Sequence, residues 1–340
     1  MALRLVLFEP GPKLGALLED GRIVDLAAAH AALLGEGDSS EKRARAQALF
    51  PPALSSFIAS GEEGLEQARR VLDALGKGTE ANYIHRLGQV RLLPPLPSPS
   101  SKLVCAAVNF ASHTARVRRM TEEQARRWVL GQLPGAFLKL PHVLVGPYDD
   151  VVYPARTTKL DYEVEVAALV GQRCRDVPKD RAGEFIYGYS VFIDYSLRDD
   201  QDPKETLSLP MRKNFDTGAC LGPCVVPKQE VQDVYALRME LRVNGQLRQR
   251  GSTAEMIRSF EELLSWFSRD LTFFPGDVLT SGTCEGTALE RELEADDASW
   301  YLRPGDVVEA EVERLGLIRN RIVKASPGAS GRREDGPRGP

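Results

Sequence analysis

The sequence predicts an α+β chain that is mostly β. It divides into a small α+β domain over 1–92, a Pro-rich linker over 93–102, a strand-rich domain over 103–325 and a disordered tail over 326–340. Three observations predict this. The amino end alternates short apolar segments with turns before becoming helical. The run LPPLPSPSS over 93–101 carries neither helix nor strand signal. Beyond it come short Val- and Leu-rich segments punctuated by Gly and Pro, with few long helices among them.

The segments LRLVLFE, KLGALLE and RIVDL, separated by PGP and EDGR, read as a small antiparallel sheet. Ser60-Gly61-Glu62-Glu63 has the form of a capping box, and Leu65, Ala68, Leu72 and Leu75 follow on one helical face. Thr121-Glu122-Glu123-Gln124 reads as another helix start. In the larger domain KLVCAAV, EVEVAALV, CVVP, LRMELRVNGQLR and GDVVEAEVE read as strands, with Asn244-Gly245 as a hairpin turn. Ser259 to Phe274 is its best helix, with Phe260, Leu263, Leu264 and Phe267 at helical spacing. The tail SPGASGRREDGPRGP has almost nothing to bury.

With 43% hydrophobic and 27% charged residues in 340, the chain can bury a substantial core. A formal net charge of -4 removes any bulk attraction to nucleic acid. No segment approaches the ~18 apolar residues that span a bilayer, and MALRLVLFEPGP is too short and too quickly charged for a signal peptide. Five scattered cysteines without CxxC spacing fit a reduced, cytoplasmic compartment. Among them Cys220 and Cys224 lack partners and read as packing residues.

One stretch breaks the ordinary pattern. In Leu160-Asp161-Tyr162-Glu163-Val164-Glu165-Val166, strand alternation puts three carboxylates on one face, beside an apolar run destined for the interior. Such a stack repels itself and is costly to desolvate. It is either the exposed acidic face of an edge strand or a site for a hard divalent cation, which takes carboxylate oxygens and cancels the repulsion. One strand cannot complete that shell, and Asp194, at the end of the apolar run from Gly188, is a candidate further ligand. Of the four histidines, His30 lies in a helical segment and His85 has no motif around it, while His142, which follows the Lys139 segment and could approach a pocket, and His113 both stay open as functional candidates. HExxH, P-loop, GxSxG and paired CxxC patterns are absent, which argues against a zincin, an NTPase, a serine hydrolase and a zinc ribbon.

The ordered motifs Asn109-Phe110-Ala111-Ser112-His113, Phe137-Leu138-Lys139, Val145-Gly146-Pro147, Leu160 to Glu165, Gly188 to Gln201, Lys213 to Thr217, Ser281-Gly282-Thr283 with Gly286, and Leu302 to Glu309 resemble the fumarylacetoacetate hydrolase family. The resemblance runs from about residue 103 to 324. It implies a mixed β-roll or sandwich core with flanking helices. It also implies Glu163, Glu165 and Asp194 as ligands of Mg2+ (with Mn2+ or Ca2+ as alternatives), and His113 as catalytic base. Arg198, Gln201 and Lys213 would hold and polarise the substrate, with Lys139 and Thr283 lining its pocket. Asp161 belongs to the motif without being one of the family's usual ligands. The partners implied are a small anionic substrate and a second copy in a homodimer. The chemistry is compatible: Arg grips carboxylates bidentately, and a neutral His activates water near pH 7.

The sequence departs from the family at three places. Arg116 stands where many relatives carry a glutamate three residues after the histidine, and a cation there would oppose imidazolium formation. Glu122 or Glu123 are candidate substitutes, and Arg116, with its neighbouring arginines, reads either as the face of a lid or as a receiver of an anionic substrate. Ile193 replaces a common asparagine, and the stretch from Gly286 to Tyr301 is longer and more acidic than the usual short loop. The leading expectation is metal-dependent hydrolysis of a C–C bond in an acylpyruvate-like 2-oxo acid or 1,3-dicarbonyl compound. The alternatives are decarboxylation or tautomerisation of a compound such as oxaloacetate, or a non-catalytic metal-binding relative.

Overall fold

Alternating apolar residues build the sheet from the first strand on. A computed structural model describes residues 2–35, 38–75, 81–95, 100–202 and 206–325. In it Leu5–Phe8 pairs antiparallel with Lys13–Leu17, which pairs with Arg22–Asp25. On the other side Leu5 meets Val225 of Ala219–Pro227. The amino-terminal sheet therefore runs directly into the larger one. Across Ala219–Pro227, Ile186–Asp194, Val164–Val170, Val278–Thr280 and Leu103–Ala106 it reaches an edge at Ala136–Lys139, twelve strands in all.

Both faces of this sheet are covered. Val6 and Phe8 join one hydrophobic cluster and Leu5 and Leu7 the other. Val164, Val166 and Ala168 divide in the same way from Ala167 and Leu169. Each cluster draws residues from both sides of the Pro-rich run. A fully buried Val or Leu contributes about 1.5–3 kcal/mol, so these central strands are the stiffest place on which to mount a site. A second, five-stranded sheet, from Gln246–Ser252 to Val151–Tyr153, packs beside the first. Its hairpin turns through Asn244 and Gly245, both with positive φ. Among the described residues no helix is long and apolar enough to cross a membrane.

Four local expectations change. Helix Gly61–Ala74 buries Leu65 and Ala68 as its pattern requires, but Ser60 forms no capping box. Its hydroxyl donates to the Phe57 carbonyl (2.6 Å), because helix Leu54–Ala59 ends immediately before it. The helix expected to run to Phe274 is Phe260–Phe267, capped by Ser259 and Glu262. The chain then turns through Asp270 at positive φ, and Phe273 bridges to Cys174. The acidic strand is two pieces, Leu160–Asp161 paired with Ser196–Leu197, and Val164–Val170. The acidic stretch after Gly286 contains a helix, Ala288–Ala295. The expected tail over 326–340 and residues 96–99 of the expected linker lie outside the described residues.

Candidate active site

The acidic residues of the interrupted strand are buried: Asp161 is 0%, Glu163 5% and Glu165 1% exposed, which removes the exposed-edge reading. Antiparallel pairing of Val164 with Ile193 carries Asp194 alongside them, its N–H donating to the Glu163 carbonyl (2.9 Å). Ligand oxygens of Glu163, Glu165 and Asp194 lie within 4.8 Å of one another. Cations interleave them. Lys213 Nζ donates to Glu163 (2.6 Å), Asp194 (2.6 Å) and the Ser196 hydroxyl (2.6 Å). Lys139, wholly buried, pairs with the other Asp194 oxygen (2.7 Å) and donates to the carbonyls of Lys213 (2.5 Å) and Gly218 (2.6 Å). Lys139 thus sits behind Asp194 as its support. Arg198 spans Asp161 (Nε, 2.8 Å) and Glu163.

The carboxylates differ in their electrostatics. Burial works against the charge on Glu163, yet Lys213 and Arg198 hold its carboxyl well below the usual range. Burial, with Asp194 and Glu163 nearby, pushes Glu165 up to about 8. Burial also raises Asp194, against the pull of Lys139 and Lys213. Lys213 stays cationic despite burial because Asp194 and Glu163 face it. Asp161, Glu163, Glu165 and Asp194 stand against three cations, Lys139, Arg198 and Lys213. Because Glu165 keeps its proton, the metal-free cluster is neutral overall; one added divalent ion that displaces that proton leaves one net positive charge, a polarity that receives an anion.

His113 lies on helix Ala111–Arg118, and its Nδ1 meets a carboxylate oxygen of Glu290. The other Glu290 oxygen accepts the Gly286 N–H (2.6 Å). An imidazolium at His113 is close enough to Glu163 to lower that carboxyl further, which places the dyad beside the acidic cluster. Helix Ala288–Ala295, which carries Glu290, is fastened by Asp161. The Asp161 carboxylate accepts the Ala288 (2.8 Å) and Leu289 (3.2 Å) N–H groups at the positive end of the helix. Gly286, at φ +102°, has no room for a Cβ, which would stand 2.1 Å from the Arg248 carbonyl oxygen.

The orienting carboxylate missing beside His113 in sequence is therefore supplied from another element, and neither Glu122 nor Glu123 fills the place. Arg116 does not oppose the imidazole as expected. Its guanidinium pairs with Glu285 (3.0 Å) and Glu294 (2.9 Å) on a half-exposed surface, tying the helix of His113 to the helix of Glu290. Thr283 is buried, its hydroxyl donating to the Val164 carbonyl (2.8 Å) and accepting from Gln249 (2.9 Å). Gln201 is exposed, and its backbone N–H donates to the Arg156 carbonyl (2.8 Å). His142 is also exposed. Sequence reading missed Glu290 and Gln249. Thr287-Ala288-Leu289-Glu290 has a capping-box form that announces the helix, and Thr287 does accept the Glu290 N–H (3.3 Å). Nothing local shows that the Glu290 carboxylate turns to His113.

The family model described as Fumarylacetoacetate (FAA) hydrolase C-terminal matches residues 102–323. The chain belongs to the fumarylacetoacetate hydrolase family. Its similarities extend beyond that segment. The human mitochondrial oxaloacetate tautomerase FAHD2A is 33% identical over 274 residues, 81% of each chain. A fumarylacetoacetate hydrolase structure from Exiguobacterium antarcticum superposes with TM-score 0.71 at 26% identity, covering 95% of this chain and 100% of that one. A maleylpyruvate hydrolase from Sphingobium, in complex with manganese (II) ion and pyruvate, gives TM-score 0.68 at 25% identity, covering 95% and 99%. As a fumarylacetoacetate hydrolase-family member the protein is an enzyme, and the non-catalytic alternative falls away.

The donor set fits a hard divalent cation, since it is all carboxylate and buried, and Glu165 keeps a proton without one. Two expectations follow for this fumarylacetoacetate hydrolase-family site. Metal must displace the proton on Glu165, so affinity should rise with pH up to about 8 and level off above it. Calorimetry at pH 7 in buffers of different ionisation enthalpy should show about one proton released. Asp161→Asn should weaken Mn2+ binding by roughly 10- to 100-fold, because Arg198 would lose one of two carboxylates and bear wholly on Glu163. Calorimetric titration against wild type checks it, and an unchanged affinity would remove Asp161 from the support of the site.

Proposed function

We propose that this enzyme interconverts the keto and enol forms of a small 2-oxo diacid of the oxaloacetate type, using Mg2+ or Mn2+ held by Glu163, Glu165 and Asp194. The observation that carries the reading is the His113–Glu290 dyad beside an all-carboxylate ligand set. Relatives named oxaloacetate tautomerases support it. A divalent ion bound there supplies Lewis-acid withdrawal of charge from the 2-oxo group. With Glu290 accepting the Nδ1 proton, Nε2 of His113 is free to take a proton from the substrate carbon and return it. Lys213 and Arg198 keep the pocket positive as charge develops on oxygen. Tautomerisation moves a proton between carbon and oxygen without a water nucleophile or a second product, so one fixed acid–base dyad suffices. This puts it ahead of the C–C hydrolysis expected from sequence.

Hydrolysis of an acylpyruvate is the second reading, favoured by the likeness to maleylpyruvate hydrolase. In it His113 takes its proton from water. The test follows enol-oxaloacetate disappearance, carbon dioxide release and acid formation from an acylpyruvate, each with Mg2+. Accelerated enol loss without carbon dioxide or new acids is expected. Two acids formed at a faster rate would favour hydrolysis, and no acceleration of any reaction would sink both. A homodimer belongs to the same proposal. Exposed Leu138 of the sheet-edge strand and Leu140 just after it lie beside exposed Leu209 and Met211, joined through Asn214. Sedimentation of wild type against Leu138→Glu tests whether a second copy covers them.

A further inference from the structure

Gln249 touches none of the three ligand carboxylates, yet it holds the backbone between two of them. At the Glu163 end, strand Val164–Val170 has lost its neighbour on one side. Val278–Thr280 pairs with it only from Ala167 onward, and the Ser281 hydroxyl and N–H serve Val166. Both backbone groups of Val164 face that gap. Buried and unpaired, each would cost on the order of 1–3 kcal/mol. Gln249, 0% exposed, accepts the Val164 N–H (2.9 Å) at its carbonyl oxygen. Its amide donates to the Thr283 hydroxyl (2.9 Å) and the Cys284 carbonyl (2.9 Å), and Thr283 in turn donates to the Val164 carbonyl (2.8 Å). The ring is closed, and every donor in it has an acceptor.

The second sheet is shaped to deliver this side chain. Opposite Leu241 and Arg242 the strand Gln246–Ser252 carries an extra residue, Arg248, a bulge that re-aims the chain. Glycines let the loop after Thr283 press against it. A Cβ on Gly251 would stand 2.5 Å from the Cys284 Cβ, and one on Gly286 would strike the Arg248 carbonyl.

We infer that Gln249, acting with Thr283, is a positioning residue that sets the spacing and direction of Glu163 and Glu165 toward a divalent cation. The inference rests on the metal-binding part of the proposed function and does not depend on the substrate. Its test is Mn2+ titration by calorimetry of wild type, Gln249→Leu, Thr283→Val and Thr283→Ser, with thermal unfolding of each metal-free protein. Gln249→Leu and Thr283→Val are each expected to bind Mn2+ about 10- to 100-fold more weakly, as supporting residues of metal ligands do. Thr283→Ser, which keeps the hydroxyl, should restore near-wild-type affinity. A scaffold-only role would lower the melting temperature and leave Mn2+ affinity unchanged, and that result overturns the inference. Should Gln249→Leu not fold, Thr283→Val against Thr283→Ser decides alone. A wild type that binds no Mn2+ would overturn the metal site itself, whereas binding by wild type and variants alike overturns only the positioning role.

Discussion

Glu163→Gln and Glu165→Gln are expected to remove most metal affinity alike, and to shift the stability of the metal-free protein in opposite directions. Strand alternation alone makes the two glutamates equivalent members of one repelling stack. The structure separates them. Glu163 neutralises Lys213 and Arg198, both largely buried. Removing its charge leaves those cations short of a partner, a change that costs about 3–5 kcal/mol in buried pairs. Among the described residues Glu165 forms no ion pair, and it accepts the Gly282 N–H (3.3 Å). Its folded-state pKa is raised to about 8, so the metal-free protein binds a proton that the unfolded chain has already lost. Stability from this group is present below the ordinary glutamate value and declines as pH rises toward about 8. Glu165→Gln removes that decline. The variant should be more stable than wild type at pH 8 to 9 and similar to it near pH 4. Thermal unfolding in a chelator across that range, with Mn2+ titration, reads both effects. A destabilised Glu165→Gln at high pH would show that burial and the neighbouring carboxylates do not raise its pKa.

His113→Ala should lower kcat by roughly 10²–10⁴-fold while leaving Mn2+ affinity within a few-fold of wild type. In the proposed reaction the imidazole is the acid–base group, and it is not among the converging carboxylates. Glu290→Gln should lower kcat by a smaller factor, because the amide can still accept at Nδ1 but no longer stabilises an imidazolium. The readout is the ratio of kcat between Glu290→Gln and wild type at fixed pH. Wild-type kcat in Glu290→Gln, with the protein folded and metal bound, would remove Glu290 from the mechanism. Unchanged kcat in His113→Ala would remove the dyad altogether.

Much of this was legible in the chain itself. Period-two alternation marked Leu5–Phe8, Lys13–Leu17 and Val164–Val170 as strands, because burial on a pleated sheet requires it. Three carboxylates in LDYEVEV pointed to either an exposed acidic face or a cation site, and their burial removes the first; Asp194, a candidate in the sequence, converges with Glu163 and Glu165. Asn244-Gly245 named its own turn through positive φ.

What lay beyond reach were contacts between residues far apart in the chain. Glu290 meets His113 across 177 positions, and Gln249 meets Val164 across 85. Neither is marked by any local pattern. Arg116 read as a threat to the histidine because it sits one helical turn away, but Glu285 and Glu294, far along the chain, draw it outward. The equivalence of Glu163 and Glu165 failed for the same reason. Local periodicity determines which residues share a face and hence which can become ligands. Tertiary packing alone decides which of those charges gains a partner, because Coulomb energy depends on separation in space and on burial, and sequence spacing specifies neither beyond a turn or a hairpin.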